Sequence, residues 1–262
     1  EGFSIENLDL NSDLDEVGFF GRIQNAVIKN LSLQIDITVE MGNESTKQVG
    51  LLVGYARDSF NIDAVSTSGA ITDQGEVSAV GGMIGQMFRG GVLKNSHSDA
   101  QITSSNNAQI GGLVGVTNCT GSSCARTLNQ TYFNGALSGG GSAKIGGLVG
   151  EVLDSGFNIS ASYFQDGLDN DSSQGDPKTA TDLKQIGTFS TWSITDTYSD
   201  TASDPSLVWG ICEDTSFPYL LNQYASDPCV LTSLGVEVVD SSDNSTPLDP
   251  VITADPFDVR VS

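Results

Sequence analysis

Few residues in this chain have types and spacings that could do chemistry. There is one histidine, His97, with four cysteines, a knot of aspartates near residue 170, and arginines that follow glycine-rich strings. A nucleophilic triad or a histidine-held metal would have to use His97. Its place in the chain is shared by Ser32, Ser66, Tyr132 and Tyr163 at corresponding points of a repeat, which marks a structural column. Paired carboxylates could serve a glycosidase or a lyase, but Asp and Glu recur at no fixed offset. We therefore assign no catalytic residue and expect no enzyme. Arg22, Arg57, Arg89 and Arg126 follow the glycine strings by 1, 3, 4 and 11 residues, so they either line one side or serve surface solubility. Asp166, Asp169, Asp171 and Asp176, with glycines between them, offer oxygen ligands suited to calcium. Their spacing fits neither an EF-hand nor a glycine-rich calcium nonapeptide, and the bland alternative is a solvated turn. No other cofactor is expected.

The four cysteines form two local pairs. Cys119 and Cys124 bracket Thr-Gly-Ser-Ser, while Cys212 and Cys229 bracket an aromatic segment. Even count and local pairing favour two disulfides over zinc, hence an oxidising compartment. Closing the larger loop would contribute about 3 kcal/mol through the unfolded state. Sequons begin at Asn30, Asn43, Asn118, Asn129, Asn158, Asn170 and Asn244, all candidate glycosylation sites.

The elements that position these residues come from a repeat. Five strings recur: Val17-Gly-Phe-Phe-Gly21, Gly50-Leu-Leu-Val-Gly54, Gly81-Gly-Met-Ile-Gly85, Gly111-Gly-Leu-Val-Gly115 and Gly146-Gly-Leu-Val-Gly150. A second anchor follows each (Ile28, Ile62, Leu93, Leu128, Ile159). Nine residues later stands a third (Ile37, Ile71, Ile102, Leu137, Leu168). No segment holds a 3.6-residue period for long enough to make a helix. Three short apolar segments per repeat predict an all-β fold, a right-handed parallel β-solenoid (β-helix) of about five three-strand coils. Equivalent residues should stack in columns, and five coils should rise about 24 Å. A β-propeller is the runner-up, but its blades need longer repeats.

The strings resemble the GLUG motif of secreted and surface-attached bacterial proteins, among them large adhesins and non-catalytic parts of some IgA-cleaving peptidases. The resemblance covers roughly residues 3–176, and Phe3–Leu10 looks like the strand that precedes the first string in such proteins. It implies a β-solenoid and carries no activity of its own.

The expected organisation is a solenoid over 1–176, an aromatic-rich C-terminal cap over 177–230 and an acidic tail over 231–262. Seven of the 19 aromatic residues fall between Phe189 and Tyr224. We expect them to hide the last open coil; the alternative is an aromatic sugar-binding face using Trp192 or Trp209. Gly235–Val239 and Phe257–Val261 alternate like strands, so the tail is either a frayed end or a pairing strand.

The net charge of −22 repels nucleic acid and anionic membrane surfaces, and no apolar run is long enough to span a membrane. The chain begins at Glu1 without signal-peptide features, as a processed chain would. It enters a coil strand almost at once, leaving that end without an evident cap. The expected function is therefore an extracellular, non-enzymatic structural or adhesive protein, secreted or at the cell surface. Its expected partner is itself, head to tail, through Phe3, Ile5 and Leu8 and through Phe257, Val259 and Val261. Alternatives are a glycan- or surface-binding segment of a larger adhesin, and a polysaccharide-acting β-helix enzyme.

Overall fold

The computed structural model describes residues 2–40, 47–74, 77–104, 108–121, 124–169, 174–198 and 204–229. The chain divides into a compact unit Glu1–Asp227 and a second, Pro228–Ser262. Of the second unit only the turn at residues 228 and 229 is described, so Phe257, Val259 and Val261 lie outside the described residues.

The first unit is a parallel β-solenoid with three sheets. Sheet I has 11 strands, and sheets II and III have five each. Every strand pairing in these three sheets is parallel, coil upon coil. No α-helix occurs among the described residues, only short 3-10 turns in the C-terminal segment. The second-anchor column is continuous: Ile28 pairs with Ile62, Ile62 with Leu93, Leu93 with Leu128, and Leu128 with Ile159. The third column runs Ile37, Ile71, Ile102 and Leu137. The fifth member, Leu168, packs partly buried against the core but belongs to no strand, so the last coil is incomplete. One refinement concerns strand count. In the second, third and fourth coils sheet I takes two segments, such as Asn61–Ser68 and Ala70–Asp73, where the first coil has the single strand Val27–Val39.

The glycines work through space rather than through an unusual φ. At each string the chain turns from sheet II to sheet III, and the final glycine leans on the preceding coil. A Cβ on Gly85 would lie 2.5 Å from the Val49 nitrogen and 2.6 Å from the Gly54 oxygen. Gly115 would meet Gly85 and Val80 backbone at 2.6 Å, and Gly150 would meet Gly115 and Ile110 likewise. The turns themselves are hydrogen-bonded between coils, Met83 N–H to Leu113 C=O at 3.0 Å and Leu113 N–H to Leu148 C=O at 2.9 Å.

A second column of unusual backbone explains why anchors nine residues apart both point inward. An odd separation in a plain strand would put them on opposite faces. Two residues after each second anchor the chain enters the left-handed region: Asn30, Ala64, Asn95, Gln130 and Ala161, with φ from 45° to 58°. Each acts as a bulge and resets the alternation, so that Ile62, Val65 and Thr67 all face inward. The same reset turns the residues four after the anchor outward. Asn suits this conformation, but alanine pays about 1–2 kcal/mol for its Cβ. Ala161→Gly should therefore raise stability by about 1 kcal/mol, read as a higher urea midpoint with unchanged slope.

The aromatic C-terminal segment is present, as expected, but what it covers is a flank. Its buried rings form one cluster with Ala64, Tyr132 and Tyr163 on the outside of sheet I. Farther along, the Asn222 amide donates to Asn30, and Gly2 N–H donates to the Asn222 carbonyl at 2.8 Å. The segment thus runs from the last coil back to the first, as a brace across all five. The outward column Ser32, Ser66, His97, Tyr132 and Tyr163 receives it: the three rings pack against its aromatics, and Ser66 accepts a hydrogen bond from Gln223 at 2.9 Å.

Candidate functional site

His97 is set in this brace. It is 8 % exposed, stacks on Tyr132 with centroids 4.8 Å apart, and has Asp99 3.4 Å from Nδ1. Its neighbours are rings and it serves packing. Trp192 and Trp209 are 7 % and 0 % exposed, so neither offers a sugar-binding face here. Tyr132 donates its hydroxyl to the Pro218 carbonyl at 2.5 Å. Full burial holds that phenol well above its ordinary pKa, and burial also pushes Tyr219 up to about 12. In both cases the neutral phenol is favoured in the folded state. Stability is then intact below about pH 10, where unfolded tyrosines begin to ionise, and falls as pH rises further. Tyr132→Phe should cost about 1 kcal/mol at pH 7 yet flatten that alkaline decline, as thermal unfolding from pH 8 to 11 would record.

All four cysteines are disulfide-bonded. Cys119 and Cys124 are joined directly, their Cα atoms 5.6 Å apart. Beside that loop, Arg126 is fully buried and makes a two-pronged ion pair with Asp154, whose hydrogen bonds from Arg126 hold the carboxyl below the usual range. The structure thereby separates Arg126 from the other arginines expected on one side.

The other three do meet. On the outer face of sheet III, Arg22 lies over the Tyr55 ring at 5.1 Å, Tyr55 stacks with Phe88 at 6.0 Å, and Arg89 lies over Phe88 at 5.4 Å. Strand register sets this row, because Arg22 pairs with Tyr55, and Arg57 pairs with Phe88. Asp58 gathers the corner: Arg57 Nε donates to it at 3.1 Å, Gln24 Nε2 at 2.8 Å, and Arg89 Nη1 lies at 3.5 Å. Glu16 holds Arg22 from the side. Hydrogen bonding with Glu16 keeps the Arg22 guanidinium protonated, and burial raises the Tyr55 phenol pKa. Round the next corner Lys29 and Lys94 flank Asp63 at 3.5 and 3.4 Å.

The N-terminal end of the solenoid forms the other distinctive surface. At this end Phe3–Ser12, Glu16–Val17 and Phe20–Gln24 are edge strands, each paired on one side only among the described residues. Five of the seven exposed large apolar residues among the described ones fall within residues 3–27: Phe3, Leu14, Phe19, Phe20 and Val27. Of the residues expected to make subunit contacts, Phe3 is 73 % exposed, while Ile5 and Leu8 pack partly buried on the core.

Asp176 of the candidate calcium loop pairs with Lys178 at 2.9 Å, and Asp171 lies outside the described residues. No group of three or more His, Cys, Asp or Glu residues is gathered as a metal site among the described residues. Of the sequons, Asn158 is exposed, the Asn129 amide donates to Ser160, Asn30 accepts from Asn222, and Asn118 ends a sheet III strand. Asn43, Asn170 and Asn244 lie outside the described residues. No helix among the described residues is long and apolar enough to cross a membrane. No protein-family model matches the chain, and no curated protein matches its sequence.

Proposed function

We propose that this protein is an extracellular, non-enzymatic structural or adhesive rod that joins end to end with copies of itself into a surface filament. The observation that carries the reading is the N-terminal end of the solenoid, where exposed apolar side chains stand beside three sheet edges that are open among the described residues. The occupant that fits is the far end of a second copy. At that end sheets II and III stop at Lys144–Gly146 and Val149–Val152, each with one edge open among the described residues, while sheet I stops at Ala136–Ser138 in one arm and at Asp176–Lys178 in the other. Because both ends derive from one repeat, a second copy continues the strand stacks of sheets II and III at the same rung spacing. Such a contact is heterologous and does not close on itself, so it propagates. The disulfides support an oxidising compartment, and the GLUG-like strings support a surface role.

Sedimentation velocity tests this reading. Wild type should grow in size with concentration, and Leu14→Lys with Val27→Lys should stay monomeric while unfolding at the same temperature. A wild type that remains monomeric at the highest soluble concentration overturns it.

A further inference from the structure

The arginine and aromatic row lies on the outer face of sheet III, and of its members only Arg22 shares a strand with that end-to-end contact. We propose that the row is a binding site for a linear anionic polysaccharide, a chain of sugars bearing carboxylates.

Charge is the first reason. Three arginines against Glu16 and Asp58 give 3 − 2 = +1, and Lys29 and Lys94 against Asp63 add 2 − 1 = +1. The five cations and three acids thus carry +2 in a chain of −22, so the rest of the chain carries −24. An anion approaching this molecule is repelled almost everywhere else.

Spacing is the second reason. Arg22, Arg57 and Arg89 come from the first, second and third coils, one guanidinium from each, and converge from different register positions on Tyr55, Phe88 and Asp58. Their internal partners leave donors free. Arg57 gives only Nε and Arg89 only one terminal nitrogen to Asp58, and the Arg89 Nε is buried without a partner among the described residues. A guanidinium has five N–H groups, so donors not engaged by Asp58 remain to take a carboxylate. Their side chains are 28 % and 41 % exposed, held at the surface and reachable.

The third reason is what lies between the charges. Tyr55 and Phe88 are half-buried rings stacked into a continuous platform, and Gln86 pairs with Tyr55 in the adjoining coil. Rings take the C–H face of a sugar, and amides take its hydroxyls. A polynucleotide asks for more: dense phosphates need many cations, and −24 elsewhere opposes them.

The proposal rests on the adhesive part of the reading above and not on end-to-end association, so the two fail separately. The test is calorimetric titration of the full chain, dilute and at low salt, with oligogalacturonate. Wild type should bind, neutral dextran should not, and binding should weaken as salt rises. Arg57→Gln with Arg89→Gln should lower affinity at least tenfold with little change in unfolding temperature, since exposed ion pairs contribute little to stability. If that double variant does not fold, Gln86→Glu places a repelling carboxylate in the row and should have the same effect. Heparin in place of the uronate distinguishes a sulfate preference, and a tenfold preference for it overturns the carboxylate assignment. No binding by wild type, equal binding of dextran or of single-stranded DNA, or affinity unchanged in the variants overturns the proposal.

Discussion

Gly85→Ala is expected to cost at least 3 kcal/mol, about the largest effect one methyl can have in this protein. The new carbon would sit 2.5 Å from one backbone atom and 2.6 Å from another, on two consecutive strands of the preceding coil. Neither atom is the end of a flexible side chain, so relief requires the coils to separate and the stacked turn bonds to break. Gly141→Ala is the matched control. That glycine is exposed, with nothing within 4 Å of the added carbon, and the change should stay within about 0.5 kcal/mol. Urea unfolding of the two variants side by side measures the difference.

Trp209→Ala should destabilise by about 3–5 kcal/mol. Trp209 is fully buried, 4.7 Å from Trp192 and 5.9 Å from both Tyr132 and His97 by ring centroid. It is the middle ring of the brace, and its loss opens a cavity walled by flat aromatics that collapse poorly. Its indole N–H has no partner among the described residues, so Trp209→Phe gives up volume without orphaning an acceptor and should cost about 1.5 kcal/mol or less. Equal losses in the two variants would mean that the ring is held by something other than packing. Hydrogen exchange adds a second readout. In the alanine variant the residues round Asn222 and Gly2 should lose protection first, because the brace pins the first strand there.

Much of the architecture was legible in the sequence because a solenoid repeats its reasons. The glycine strings and the fixed nine-residue spacing gave the columns, and Ile28 through Ile159 stack as read. Nine is an odd number, however, and two inward anchors nine apart demand a residue that breaks alternation. Asn30 and Asn95 were the visible signal for it, while Ala64 and Ala161 hid it, because alanine seldom adopts that backbone. The flank position of the aromatic segment follows from the same point. Once the bulge is recognised, His97, Tyr132 and Tyr163 face outward and form a surface that large aromatics must cover. The arginine row was half visible. Offsets of 1, 3 and 4 residues do not look like a column, yet a guanidinium is long enough to converge on Tyr55, Phe88 and Asp58 from different rungs. Arg126 was grouped with them by sequence alone, and the inserted disulfide loop carries it elsewhere.

Electron microscopy of the concentrated native protein tests the end-to-end rod most directly. The account predicts unbranched filaments one solenoid wide, lengthening with concentration and absent in the Leu14→Lys, Val27→Lys variant. Fields of uniform single particles at every concentration, or filaments that the variant forms equally well, would contradict it.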